Sequence, residues 1–173
     1  MTESKTLLTK KKFMLSLFWD SQGIILMDVL PPNESITAQY YCDLLEKLNV
    51  AVFEKRRRRM SHGNLYLQHD NARPHTATIT QEKITQLRLN ILEHPPYSPD
   101  LAPSDYYLFR PMKSALQGKD YASSSAVIHD IQQWADSKPQ QFFQDGINKL
   151  PGRWQRCIEH DGEYFENLCD VDD

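Results

Sequence analysis

The sequence has no long apolar run: none of its 173 residues sits in anything near the roughly 18 consecutive apolar positions that a spanning helix requires, so a membrane protein is not expected. The opening residues, Met1-Thr2-Glu3-Ser4-Lys5, carry an acid and lack an apolar core with a small-residue cleavage site, which argues against a secretory signal. Cysteine is scarce. Cys42, Cys157 and Cys169 are odd in number and widely spaced, which suits reduced thiols of the cytosol or nucleus better than a disulfide framework or a zinc site. Net positive charge is missing as well, because the formal balance is −3, and no global positive field advertises nucleic-acid binding. Neither an internal repeat nor a second domain is evident. A chain of this length is expected to build one core and bury roughly two thirds of the surface its unfolded form exposes.

With 40% hydrophobic and 25% charged residues, the composition is that of a globular protein. Basic residues cluster at Lys10-Lys11-Lys12 and at Lys55-Arg56-Arg57-Arg58-Arg59, whereas the tail beyond Glu159 is acidic. A short basic run fits a solvated helix end or a nuclear-import address as well as a phosphate contact, and both readings of Arg56, Arg57, Arg58 and Arg59 stay open.

Apolar runs at 12–19 and 24–30, separated by Asp20-Ser21-Gln22-Gly23, predict a β-hairpin in which Gly23 supplies a positive φ. Ile36, Tyr40, Tyr41, Leu44, Leu45, Leu48 and Val52 then recur at the spacing of one helical face, capped by Asn33 or Ser35 and ending near the arginine run. A strand at 65–69, a helix from Pro74 to about Leu87 and a strand at 89–92 form a predicted βαβ unit, hence a mixed sheet with parallel pairing. Prolines 95, 96, 99 and 103 impose an extended loop. Helix resumes from Ser104 to about Leu116, Ser123 to Ser125 cap another through Trp134, and two more are expected, a short one opened by Pro139 and a last one following Leu150.

Two acids stand out. Asp70 ends a strand and Asp105 begins a helix, with 34 residues between them, so the proline loop could bring both to one sheet edge. Hard divalent cations such as Mg²⁺ or Mn²⁺ prefer such oxygen ligands and support phosphoryl transfer. Spacing alone favours the ordinary reading: an acid before a turn and an acid favoured by a helix dipole. A zinc site through His69 and His75 would lack a compact three-ligand motif.

The chain resembles mariner-family transposases of the Tc1/mariner superfamily over roughly residues 10–166. The resemblance rests on Phe18-Trp19-Asp20, on Gln68-His69-Asp70-Asn71-Ala72-Arg73-Pro74-His75, and on Tyr97-Ser98-Pro99-Asp100-Leu101-Ala102-Pro103-Ser104-Asp105-Tyr106-Tyr107-Leu108-Phe109. Near the end it is carried by Lys149-Leu150-Pro151-Gly152-Arg153-Trp154 and Asp161-Gly162-Glu163-Tyr164-Phe165. It implies an RNase H-like α/β fold, a mixed sheet flanked by helices, with divalent-metal-dependent DNA strand cleavage and strand transfer. Asp70 and Asp105 then correspond to the second and third metal-binding aspartates. Asn71, Arg73 and His75 fall in the same motif as supports of the site or DNA contacts, or as a turn residue, a solvated base and a surface imidazole. Asp100 would brace the loop. DNA is the implied partner, the nucleus the implied location, and a homodimer is open.

The resemblance also implies a first catalytic aspartate on a strand upstream of the hairpin, which this chain is expected not to contain; Asp20, Asp28 and Glu3 do not match it. That strand would be the central one of the sheet. Its absence would leave Leu15, Leu17 and Leu67 exposed unless residues near Thr6-Leu7-Leu8 fill the gap or the two halves pair directly. The expected organisation is a poorly structured segment 1–11, a partial catalytic domain 12–166 and an acidic tail 167–173. Whether the chain is an enzyme stays open. The first expectation is a truncated transposase inactive alone, and the alternative is a non-enzymatic remnant that binds DNA or a protein.

Overall fold

A computed structural model describes residues 12–56 and 66–160. Arg57, Arg58, Arg59, the segment 1–11, the acidic tail and Asp161-Gly162-Glu163-Tyr164-Phe165 lie outside the described residues.

The hairpin forms as expected: β1 (Met14–Asp20) pairs antiparallel with β2 (Gly23–Leu30). Asp20 Oδ1 accepts the Gln22 amide at 2.8 Å, and Gly23 takes φ +118°, a conformation that side-chain-bearing residues avoid. A bulge lies between Phe18 and Trp19, where Phe18 pairs Leu26 and Trp19 pairs Ile24, so Ile25 is the extra residue. It has a packing consequence. Ile25 and Leu26 both join the core around the first helix, whereas Ile24, Met27 and Val29 join the second core with Leu15, Leu17 and Trp19 from β1. The hairpin is therefore the wall shared by two hydrophobic clusters.

On one side lies α1 (Ala38–Lys55), which buries Tyr41, Leu44, Leu45, Leu48 and Val52 at the spacing of one helical face. Its cap is Thr37, whose side chain accepts the Tyr40 amide at 3.1 Å, rather than Asn33 or Ser35. Asn33 instead sits at φ +72°, in the turn that reverses the chain after β2. β3 (Tyr66–Leu67) and β4 (Asn90–Ile91) pair in parallel, with Leu92 N donating to Leu67 O at 2.9 Å. The crossover helix is divided into α2 (Arg73–Thr76) and α3 (Thr78–Gln86), because Ala77 is extended. Ile84, Leu67 and Leu89 complete the α1 core.

The second cluster is helical. A 3₁₀ turn at Pro99–Leu101 leads to a π-helical turn at Ser104–Leu108, then to α4 (Phe109–Leu116), α5 (Ser124–Asp136) and α6 (Gln140–Glu159). The expected Ser123 cap is observed, accepting the Ala126 amide at 3.3 Å. The last two expected helices are one, α6, which continues through Pro151. Leu108, Met112, Ile131 and Phe143 pack there against Val29.

The sheet divides into two two-stranded pieces among the described residues, so the hairpin and β3 do not pair directly. Burial differs from the expectation at the edges. Leu67 is buried at 8% exposure, beneath α1, while Leu15 and Leu17 are half-buried against the helical cluster.

Candidate active site

β3 ends at Leu67 and releases Gln68, His69, Asp70 and Asn71 in succession beside the proline loop. Two amides bind the strand end to that loop. Gln68 Nε2 donates to Leu101 O at 2.9 Å and to His94 Nδ1 at 3.4 Å, and Asn71 Nδ2 donates to His94 O at 2.9 Å. Asn71 is thus a loop brace in this structure. The loop also carries Tyr97, fully exposed at φ +54°.

Asp70 is held through Oδ1, which accepts the Ala72 amide at 3.0 Å and His75 Nδ1–H at 2.7 Å. His75 is fixed in turn by packing. Its ring stacks on His69 with centroids 4.9 Å apart and planes 4° from parallel, and it lies 4.1 Å from the Tyr41 ring. The buried Tyr41 hydroxyl meets His69 Nδ1 at 2.8 Å. Burial, and then the neighbouring His75, pull the His69 imidazole down from 6.5 to about 4, so at neutral pH it is uncharged. Burial foremost, with the Asp70 charge, raises the Tyr41 hydroxyl. With one nitrogen of each histidine committed to Tyr41 or Asp70 and the rings stacked face to face, this pair does not converge on an ion. No cluster of three His, Cys, Asp or Glu side chains suited to a metal occurs among the described residues.

Asp105 projects from the π-helical turn, its amide bonded to Ala102 O at 2.8 Å. Exposed by area, it is still flanked densely enough that desolvation raises its carboxyl. The Asp70 charge raises it further, while His94 and Lys113 oppose the shift. The Asp70 charge thus reaches Asp105, although desolvation is the larger cause of the shift. An oxygen donor pair under mutual repulsion suits a hard divalent cation in chemistry, although two carboxylates are few for such an ion.

The other anticipated residues are distributed differently. Arg73 is exposed at the start of α2. Arg56 faces inward, donating through Nε and Nη2 to the two Asp20 oxygens, each at 2.8 Å, and through Nη2 to Gly23 O at 3.4 Å. The structure thus spends this arginine on the hairpin turn. Asp100 is buried at 8% exposure with Oδ1 lacking a hydrogen-bond partner among the described residues, and its carbonyl accepts from Arg153 at 3.1 Å. Tyr41, Gln68 and Trp19 were not singled out as site residues. Tyr41 reads in the sequence only as one apolar position of a helix, and its hydroxyl was the signal that it also needed a polar partner.

A family profile described as "Transposase (partial DDE domain)" matches residues 2–62. The chain is 39% identical over 158 residues to the mariner Mos1 transposase of Drosophila mauritiana, covering 90% of this chain and 46% of that protein. It is 35% identical over 162 residues to the histone-lysine N-methyltransferase SETMAR of Homo sapiens, covering 94% of this chain and 24% of that one. The chain thus spans less than half the length of these relatives. The Mos1 catalytic domain with Raltegravir and Mn superimposes with a TM-score of 0.84 at 40% identity, covering 90% of this chain and 78% of that one. The Mos1 paired-end complex with left transposon end gives 0.84 at 37% identity, covering 96% and 48%.

Proposed function

The chain belongs to the mariner family of transposases, and on that premise we propose that it contributes Asp70 and Asp105 to a divalent-metal site acting on DNA phosphodiesters. One observation carries the reading: two carboxylates come from separate elements, Asp70 just beyond β3 and Asp105 on the π-helical turn, and desolvation first, then the Asp70 charge, raises the Asp105 carboxyl. Such a pair is stabilised by a cation and strained without one. Mg²⁺ or Mn²⁺ held there would supply Lewis acidity toward a phosphoryl oxygen and an acidified water. The chain's own residues prepare the pair. His75 and the Ala72 amide orient Asp70, the Tyr41–His69 contact backs His75, and Gln68 and Asn71 hold the proline loop that carries Asp105 into place.

Two carboxylates bind such an ion weakly, so this chain alone is read as cleavage-incompetent. β1 and β3 are read as the flanks of a strand position that no described residue occupies, a reading supported by the two separate sheets and by a β1 without a single buried residue. Transposon-end DNA in a related complex supports DNA as partner, with pairing of two copies and nuclear residence as parts of the same proposal. The lack of a third acid beside the pair among the described residues favours a second reading, a non-catalytic DNA-binding or protein-binding module.

A plasmid-nicking assay with Mn²⁺, comparing the chain with Asp70→Ala and Asp105→Ala, tests the reading. Background-level nicking by all three, with a Mn²⁺-dependent thermal shift only in the unsubstituted chain, is expected. Strong nicking abolished by either substitution would overturn the inactivity, and a thermal shift indifferent to both substitutions would overturn the metal site.

A further inference from the structure

The Lys149-Leu150-Pro151-Gly152-Arg153-Trp154 stretch lies on α6, away from Asp70, and the function proposed so far gives it no task. Its arginine reaches back to the loop that carries Asp105. Arg153 Nη1 donates to Asp100 O at 3.1 Å, and the guanidinium lies 3.9 Å from the centre of the Tyr106 ring. Tyr106 is in turn anchored on the same helix, its hydroxyl donating to Gly146 O at 2.8 Å. At the other side of Asp105, Trp19 Nε1 donates to Ser104 Oγ at 3.0 Å. Asp105 is therefore flanked by two residues that are each fastened to another element.

The turn being fastened is a π-helix, closed by a bond from the Phe109 amide to Ser104 O. One residue more than an α-turn is accommodated, an arrangement that persists only where its surroundings hold it. If the turn relaxed to α-helical register, a one-residue slip would rotate the side chains by about 100°, enough to redirect the Asp105 carboxylate. We propose that Arg153 is a positioning residue, which clamps Asp100 and Tyr106 against α6 and so keeps the π-helical turn that sets where the Asp105 carboxylate projects. The inference rests on the metal reading only for its consequence; the clamp itself is a statement about this chain without metal. Lysine cannot replace the arginine, since it lacks the flat guanidinium that both stacks on an aromatic ring and donates in its plane.

The test uses the full 173-residue chain, with Arg153→Lys, Arg153→Ala and Tyr106→Phe. Amide hydrogen exchange is measured without metal, then Mn²⁺-induced paramagnetic broadening of the Asp70 and Asn71 amides. Exchange at the Asp105, Tyr106 and Phe109 amides should accelerate by about tenfold or more in all three variants, while the amides of Leu44, Leu45 and Ile131 keep their protection. Half-broadening should need about tenfold more Mn²⁺. Unchanged exchange at Asp105 and Tyr106, or equal acceleration in the core, would overturn the clamp. Where the unsubstituted chain does show specific broadening, an identical Mn²⁺ dependence in the variants would overturn the positioning role as well. Local acceleration with no specific broadening in the unsubstituted chain would support the clamp and remove the metal reading instead.

Discussion

Trp19 and Ser104, 85 positions apart, are joined by a 3.0 Å hydrogen bond from the indole Nε1 to the hydroxyl. It ties the end of β1 to the first residue of the π-helical turn, next to Asp105. Trp19→Phe removes that donor and some packing volume, and is expected to cost about 1–3 kcal/mol. A double-mutant cycle with Ser104→Ala, read by urea unfolding, should return a coupling of about 0.5–1.5 kcal/mol. Strict additivity would mean that the bond contributes nothing.

Gly146 occupies the middle of α6, where helix propensity alone favours alanine by about 1 kcal/mol. Packing opposes it. A Cβ there would stand 2.5 Å from Tyr107 Cδ1 and 2.8 Å from Trp19 Cη2. Overpacking of two aromatic rings typically costs about 1–3 kcal/mol, so Gly146→Ala is expected to be net destabilising. A raised denaturation midpoint would show that the rings yield freely.

Arg56 belongs to the basic run, yet both Asp20 oxygens accept from it and its side chain is 12% exposed. Arg56→Gln should therefore lower stability by about 1–2 kcal/mol while leaving the salt dependence of any DNA affinity unchanged. Gel shifts across salt concentrations, done beside a melt, separate the two. A shallower salt slope without loss of stability would return Arg56 to the phosphate contacts.

Local chemistry explains which features were legible in the sequence. The hairpin, the face of α1 and the Gly23 turn follow from period and turn chemistry, and the structure contains them. Features that depend on distant partners did not. Ala77 breaks the crossover helix without a Gly or Pro at the break, and Pro151 sits inside α6 where a proline normally ends a helix. The pairing of Arg56 with Asp20 joins residues 36 positions apart, which no composition rule anticipates. The roles of Tyr41 and Tyr106 require a hydroxyl to be traced to its acceptor, and periodicity reports only that an apolar ring is buried.

His69 gives stability an acid-side limit. Its folded imidazole is held near 4, against 6.5 ordinarily, so the unfolded chain binds the proton more tightly. Stability is thus fully present above pH 6.5 and is lost as pH falls toward 4. Because the ring is only partly buried, the contribution is discounted to about 1–2 kcal/mol. Urea midpoints at several values across this window should fall with pH in the unsubstituted chain and fall less steeply in His69→Gln. Parallel curves would place the acid sensitivity elsewhere.

Asp105 has the opposite sign. Desolvation and the Asp70 charge raise its carboxyl in the folded chain, so the folded state binds that proton more tightly than the unfolded one. Stability from this group is present below the ordinary carboxylate value and declines as pH rises through the raised one. The charged form of Asp105 is thus disfavoured in the folded chain, by desolvation foremost and by the Asp70 charge next. Asp105→Asn should raise the thermal midpoint at pH 7 and abolish the further rise that Mn²⁺ gives the unsubstituted chain. The two effects answer different questions. A raised midpoint with the Mn²⁺ response intact would confirm the repulsion but assign the ion to other ligands, and a lowered midpoint would show that the Asp105 carboxylate stabilises the turn instead of straining it.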